Sequence, residues 1–434
     1  MPAALPEAAG RGGGLRLGAY VTLGLMLVML WTATGAPGAG ATLARPSFPP
    51  SASPEQLLSF FDYPTTSATF SLRLLEAKEH YLIYSVTWES WVHSDYPVNN
   101  VVPAFYYQPQ RSGKVPAVVV LHAYSTRRAK EEQQLCAYLA ERGIACILPF
   151  LPYHYMRTPV GHESGALMIG ADIDRTVQAV AQAMIDIRTA VDWLQQRPEV
   201  DASRIGIVGV SLGGILVHLA MGVEKRFAAG VSVLGGAEVA DLMWTSPIMT
   251  PVRAKLDRQE MTLPELRRRL RIIEPLTYAR LNRPRQVLMI EGRYDLVVPP
   301  HSATAMWRGL GEPEIIWLNT GHYGGVLVSR QLHAVVAAYL LNQFGERRGP
   351  LPEVHAYTLK AGVMVDDRAG LSATFNVTLV HLGRNGFVDL ALTTSGPLIG
   401  LSFRLTQVTE LGIGAPIGRS LEDVRPYLAL LVVL

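Results

Sequence analysis

The fold of this chain is decided by the stretch from Ile205 to Gly214, which reads IGIVGVSLGG. An apolar run that predicts a strand leads into a Gly-x-Ser-x-Gly pattern centred on Ser211, and a helical pattern begins directly after it at Leu212. This order of strand, turn and helix projects a serine hydroxyl from a tight elbow. The flanking glycines are needed because the turn is strained and neighbouring backbone passes close. The stretch therefore predicts a nucleophilic serine at the carboxyl end of a buried strand.

Strands and helices alternate on both sides of this elbow. We predict strands over 68–75, 80–88, 101–107, 115–121, 144–150, 205–210, 230–234, 286–291 and 315–318, and helices over 127–142, 172–197, 212–223, 302–310 and 330–344. Strands that alternate with long helices imply right-handed crossovers and a mostly parallel sheet covered on both faces. The predicted class is α/β, with the ligand crevice at the carboxyl ends of the strands.

The composition excludes several other classes of protein. Of the 434 residues, 49% are hydrophobic and 17% are charged, which excludes a disordered or coiled-coil chain. The formal net charge of +3 is too near balance to indicate a nucleic-acid partner. Only two cysteines are present, Cys136 and Cys146, so a disulfide scaffold and a multi-cysteine zinc module are excluded, and we expect both to fill the core.

The N-terminal residues have the order of an export segment. Arg11 and Arg16 precede an uncharged apolar stretch over 17–34, and small residues follow it. We predict that 1–45 is an export signal or an N-terminal membrane anchor, because the apolar stretch is near the length that can cross a bilayer. The expected location is periplasmic or extracellular, with membrane attachment through 17–34 if the segment is not cleaved.

Two further boundaries follow from composition. A Pro- and Ser-rich linker lies near residues 45–51, and a charged, breaker-rich joint lies at 345–350. We predict a catalytic domain over 46–348, with a lid insertion at about 237–278, and a small β-rich module over 349–434. The strands predicted for this module cover 372–380, 387–394, 398–406 and 427–434.

A serine hydroxyl becomes a good nucleophile only when a base removes its proton and a carboxylate orients that base. Asp295 and His322 each follow a predicted strand, and the chain order Ser211, Asp295, His322 is the one expected for this elbow. Glu238, which also follows a predicted strand, is the alternative carboxylate.

At this point the chain resembles the α/β-hydrolase superfamily, specifically its esterase-like members related to dienelactone hydrolases and acetyl xylan esterases. The resemblance covers roughly residues 60 to 345 and rests on the serine elbow, the Asp295 loop and the Gly321-His322 pair. It implies an α/β-hydrolase fold with Ser211 as nucleophile, His322 as general base and acid, and Asp295 as the carboxylate that fixes the imidazole.

An oxyanion hole needs two backbone N–H donors, which we assign to Leu212 and Tyr124. The loop that holds Tyr124 departs from the family pattern, because Ala123 stands where relatives usually have glycine. A positive φ at this alanine would be strained. We expect His122 to support the loop rather than to bind a metal, since no His-Glu-x-x-His pattern is present.

The sequence thus predicts a serine hydrolase that cleaves small-molecule carboxylic esters through an acyl-enzyme, with no cofactor and no metal. Two alternatives stay open: a serine peptidase of the same fold, and a non-catalytic, hydrolase-like binding module of the cell envelope. We expect the lid insertion and the loop over 152–157 to decide substrate choice. The oligomeric state is not readable from the sequence.

Overall fold

The computed structural model describes residues 48–49, 51–64, 68–124, 128–282, 285–366, 370–383, 385–417 and 424–434. Ala41–Leu434 form one compact unit. The predicted export segment over 1–45 lies outside the described residues. The predicted domain boundaries at 45 and 348 stay predictions.

A nine-stranded sheet forms the centre of the body, in the order β1-β2-β3-β5-β4-β6-β7-β8-β9. Its strands are β1 Phe70–Ala77, β2 Tyr81–Glu89, β3 Val101–Pro109, β4 Val115–Leu121, β5 Ala145–Pro149, β6 Val200–Val210, β7 Phe227–Val233, β8 Gln286–Gly292 and β9 Ile315–Leu318. The ladders from β5 to β9 are parallel, and those joining β1, β2, β3 and β5 are antiparallel. The predicted mostly parallel sheet is confirmed.

Helices cover both faces of this sheet. The longer ones are α1 Lys130–Ala140, α2 Ile173–Gln196, α3 Leu212–Val223, α4 Val239–Thr245, α5 Thr250–Arg258, α6 Leu263–Leu270, α7 Pro300–Leu310 and α8 Ser329–Gln343. Every residue of β4 is buried because alternate side chains enter two different cores. Val119 packs in the core that contains α2 and α3, whereas Val118 packs in the core that contains α1 and α8. Cys136 and Cys146 are free thiols in the second core.

One described helical stretch, Gly324–Gln343, is long and apolar enough to cross a membrane, and 61% of it is buried inside the protein. It includes α8, which packs its apolar face on the sheet. The segment between β7 and β8 carries α4, α5 and α6, where the sequence predicts the lid insertion. Its role as a lid stays a prediction.

The C-terminal module is a closed antiparallel barrel of six strands, with β10 paired to β15. Its strands are β10 Leu359–Asp366, β11 Gly370–Leu382, β12 Gly386–Thr393, β13 Gly396–Arg404, β14 Thr409–Pro416 and β15 Arg425–Val433. The predicted β-rich module is confirmed, but β10 and β14 were missed. β14 contains Gly412, Gly414 and Pro416, which weaken a strand signal. In the structure a side chain at Gly412 would collide with the Tyr427 ring, so glycine makes room for that ring.

Candidate active site

Ser211 lies on a strained elbow between β6 and α3. Its φ of 55° and ψ of −115° are unusual for a residue with a side chain. A Cβ atom at Gly209 would lie 2.2 Å from the carbonyl oxygen of Gly213, so a larger residue would push the turn apart. The glycines around the serine are therefore required by the close approach of backbone, as the sequence predicts.

The three predicted catalytic side chains meet in one hydrogen-bonded chain. Ser211 Oγ lies 2.9 Å from His322 Nε2, and His322 Nδ1 lies 2.6 Å from Asp295 Oδ2. The other carboxylate oxygen of Asp295 accepts hydrogen bonds from the backbone N–H groups of Val297, at 2.8 Å, and Val298, at 2.9 Å. These bonds fix the carboxylate, which makes Nδ1 of His322 the donor and leaves Nε2 to accept the serine proton.

A second acid, Glu291, lies beneath this chain at the end of β8. Its side chain is buried, and Oε1 has no hydrogen-bond partner within the described part of the chain. Burial, and then the nearby charge of Asp295, raise the pKa of Glu291 well above its usual range. Both effects favour the neutral form of Glu291, which carries no negative charge beside Asp295.

The loop after β4 lies beside the elbow, as an oxyanion site requires. Leu121 pairs with Gly209 across the sheet, and a side chain at Gly213 would lie 2.5 Å from the Leu121 carbonyl oxygen. The Ala123 N–H donates to Glu132 Oε1 at 3.1 Å, whereas the N–H of Tyr124 has no acceptor among the described residues. Tyr124 thus retains the donor that the prediction needs.

Two further observations concern this loop. Ala123 is not among the residues with positive φ, so the strain expected from replacing the family glycine does not arise. His122 accepts the Leu151 N–H at Nε2, at 3.0 Å, and donates from Nδ1 to the Ala123 carbonyl oxygen at 2.9 Å. Burial lowers the pKa of His122 well below its usual range, so the ring stays neutral and ties the loop to the end of β5.

Glu238, the alternative carboxylate, does not meet the histidine. It begins α4 in a left-handed conformation, with φ of 59°, and its N–H donates to Glu274 Oε1 at 3.0 Å. Nearby, Leu242 of α4 packs against Val297 and Val298, next to Asp295. The insertion between β7 and β8 therefore begins close to the Asp295 carboxylate.

Sequence reasoning missed the contacts between the barrel and the two loops of the site. The Tyr294 ring stacks on His381, with centroids 6.3 Å apart, and the Arg404 guanidinium lies 4.4 Å from the centroid of the same ring. The Thr358 hydroxyl donates to the carbonyl oxygen of Asn319. No local pattern in the sequence indicates these contacts, because they join residues that are far apart in the chain.

Within the described ranges, no group of three or more His, Cys, Asp or Glu side chains could hold a metal ion. What the site does offer is a serine, a base, an orienting carboxylate and backbone N–H groups. This set is suited to acyl transfer.

The sheet, the elbow and the order of the three residues are those of the α/β-hydrolase fold. The prolyl oligopeptidase family profile matches residues 178–345, and the acetyl xylan esterase profile matches residues 78–235. The body is thus similar in sequence to both families, and the resemblance to esterase-like α/β hydrolases predicted from the sequence is confirmed.

Curated relatives and solved structures agree with this class. An uncharacterized protein of Mycobacterium tuberculosis is 33% identical over 201 residues, which are 46% of this chain and 47% of that protein. A putative esterase of Bacillus subtilis is 25% identical over 194 residues, which are 44% of this chain and 73% of that protein. The chain thus spans about half the length of the mycobacterial relative that it matches.

Two acetyl xylan esterase structures share the fold. The enzyme from a Paenibacillus species has a TM-score of 0.51 and 20% identity, and the match covers 64% of this chain and 90% of that one. Acetyl xylan esterase 1 from a Thermoanaerobacterium species has a TM-score of 0.51 and 18% identity, with coverage of 67% and 92%.

Proposed function

We propose that this protein is a serine hydrolase that cleaves carboxylic esters through an acyl-enzyme. The observation that carries the proposal is the hydrogen-bonded chain from Ser211 through His322 to Asp295 at the carboxyl edge of the sheet. The similarity to acetyl xylan esterases supports an ester as the substrate. The substrate class is a small-molecule ester, and acyl transfer by these residues needs no cofactor.

The proposed reaction has two halves. His322 Nε2 takes the Ser211 proton as Oγ attacks the ester carbonyl carbon, and the N–H groups of Leu212 and Tyr124 stabilise the tetrahedral oxyanion. The intermediate collapses, and the alcohol leaves with the proton from His322. In the second half, His322 deprotonates a water that attacks the acyl-enzyme. The carboxylic acid leaves, and the proton returns to Ser211.

Replacement of the nucleophile tests the proposal. Ser211→Ala is expected to abolish hydrolysis of p-nitrophenyl acetate and butyrate by purified protein, and also labelling by a fluorophosphonate probe. Ser232→Ala is the matched control, because Ser232 is a buried serine on the neighbouring strand and its hydroxyl has no hydrogen-bond partner within the described residues. Full turnover by Ser211→Ala would refute the assignment. Absence of a probe adduct on the native protein would favour the non-catalytic binding module.

A peptidase of the same fold is the second candidate, because the prolyl oligopeptidase family profile covers the segment with all three catalytic residues. An ester and an anilide with the same N-acyl amino acid separate the two functions. Turnover of the ester with little or no turnover of the anilide supports an esterase, and comparable turnover of both supports a peptidase.

We further propose that the protein is exported, with a periplasmic or extracellular location. The support is the order of basic, apolar and small residues in 1–45. Mass spectrometry of the protein isolated from cells would test cleavage. Loss of the N-terminal peptides indicates a signal peptide, and their retention in the membrane fraction indicates an anchor.

A further inference from the structure

The barrel has an unusual distribution of apolar side chains. The outward positions of its strands hold mainly apolar side chains, whereas the interior contains both polar side chains and a smaller apolar cluster around Tyr427. In β11, for example, Ser372, Thr374, Asn376 and Thr378 are buried in the interior. The outer wall has an apolar side chain on every strand, each 39–53% exposed: Val363, Leu379, Leu392, Leu401, Ile413 and Leu430. Within the described strand residues, no Asp, Glu, Lys or Arg occupies an outward position.

Contacts inside the barrel stabilise it without any contribution from the apolar side chains of the outer wall. Lys360 Nζ lies 2.8 Å from both Asp389 Oδ2 and Glu410 Oε2, and Arg404 donates to Glu410 Oε1 at 2.8 Å. The charged side chains that face inward balance one another: Lys360, Arg404, Arg425, Asp366, Asp389 and Glu410. The barrel is therefore held from inside by paired charges and by packing around Tyr427.

The body leaves the outer wall uncovered. The contacts of the barrel with Tyr294 and Asn319, and a backbone hydrogen bond from Gly321 to Leu434, lie at one end of the barrel. Each strand is paired on both sides within the closed ladder, so another chain cannot be added as an edge strand. A second copy of this chain would cover one side of the cylinder, whereas the apolar wall includes all six strands. What covers such a wall has to surround it.

We propose that the outer wall of the barrel inserts into the hydrocarbon layer of a lipid bilayer. An apolar exterior around an interior that holds paired charges is the arrangement expected of a β-structure whose solvent is lipid. Strands of 8 to 13 residues are comparable with the roughly 9–11 that a tilted strand needs to cross the hydrocarbon layer. The closed ladder leaves no free edge strand among the described strands of the wall. This surface is separate from the predicted N-terminal anchor.

Depth-dependent fluorescence quenching tests the proposal on the full-length protein. A bimane label is attached at Val363→Cys or at Leu401→Cys, which lie on β10 and β13, on opposite sides of the barrel. The native cysteines are fully buried and are replaced by alanine in all variants. Ser112→Cys, an exposed position between β3 and β4, is the control. The vesicles contain phosphatidylcholine and phosphatidylglycerol with brominated acyl chains.

We expect brominated lipid to remove most of the fluorescence at both barrel positions, and none at position 112. Leu401→Arg, combined with the label at position 363, is expected to abolish the quenching while hydrolysis of a soluble ester is unchanged. Vesicle-bound protein with unquenched labels at 363 and 401 would overturn the proposal. If only one of the two labels is shielded from solvent, if this does not depend on lipid, and if sedimentation shows a stable dimer, then a second copy of the chain covers the outer wall. That result would also overturn the proposal.

Discussion

The backbone N–H of Gly321 donates a hydrogen bond of 2.9 Å to the backbone oxygen of Leu434, at the end of the last barrel strand. Gly321 directly precedes His322, so the barrel contacts the loop that presents the His322 imidazole. Thr320 Oγ1 donates to the same oxygen at 3.2 Å. We infer that the C-terminal barrel positions the histidine loop, in addition to presenting the apolar outer wall.

This contact predicts that even a methyl side chain at position 321 strongly lowers the catalytic rate. A Cβ atom at Gly321 would lie 2.3 Å from the Val433 carbonyl oxygen, so Gly321→Ala must displace the histidine loop. We expect kcat for a soluble ester to fall about 100-fold with little change in KM, since a displacement of about 1 Å has that effect. Gly325→Ala is the control, because its nearest neighbour would be an ordinary contact at 3.5 Å. An unchanged kcat for Gly321→Ala would disprove the positioning role.

The carboxylate assignment predicts a difference between two acidic residues. Asp295→Asn keeps the size of the side chain but favours the wrong histidine tautomer, so kcat is expected to fall by a factor on the order of 10³–10⁴. Glu238→Gln should keep nearly full activity, because Glu238 does not reach His322. Steady-state kinetics on p-nitrophenyl butyrate measure both variants. A larger fall in kcat for Glu238→Gln than for Asp295→Asn would instead assign Glu238 as the carboxylate that orients His322.

The oxyanion assignment rests on a backbone N–H and is tested by removing that group. Tyr124→Pro deletes the donor, and we expect kcat to fall about 10²–10³-fold. Tyr124→Ala keeps the N–H and removes the ring, so its effect should be much smaller. Circular dichroism and thermal unfolding establish that both variants are folded. Equal losses in the two variants would mean that the ring, and not the N–H, is what matters.

His218 predicts how stability depends on pH. It is fully buried in α3, neither ring nitrogen has a partner within the described residues, and burial lowers its pKa to about 3. The unfolded chain binds a proton near the ordinary value of 6.5, whereas the folded chain resists protonation until about pH 3. The contribution of neutral His218 to the free energy of unfolding is therefore complete above pH 6.5, and it is lost progressively as the pH falls toward 3.

Urea unfolding between neutral and acidic pH measures this effect. His218→Leu is expected to flatten the acid side of the stability curve, because it removes a buried group that protonates only in the unfolded state. His80→Leu replaces an exposed histidine and should leave the curve unchanged. An acid limb that is as steep in His218→Leu as in the native protein would exclude His218 as its source.

Much of the body could be predicted from the sequence, because its signals are local. β4, α3 and β9 have the predicted bounds, since a buried parallel strand and a buried apolar helix are both encoded in consecutive residues. The elbow was equally predictable, because close backbone approach requires glycine at Gly209 and Gly213. The barrel was predicted only as β-rich, and two of its strands were missed.

The sequence by itself determined the strand order along the chain, the serine elbow and the candidates that follow the strands. Only the tertiary structure decided that Asp295 and not Glu238 meets His322, that the barrel contacts the histidine loop, and that every barrel strand has an apolar side chain facing outward. The physical reason is that these outcomes depend on contacts between distant residues, such as Thr320 and Leu434, which are 114 positions apart. A pattern with a period of two is also the same whichever face is buried.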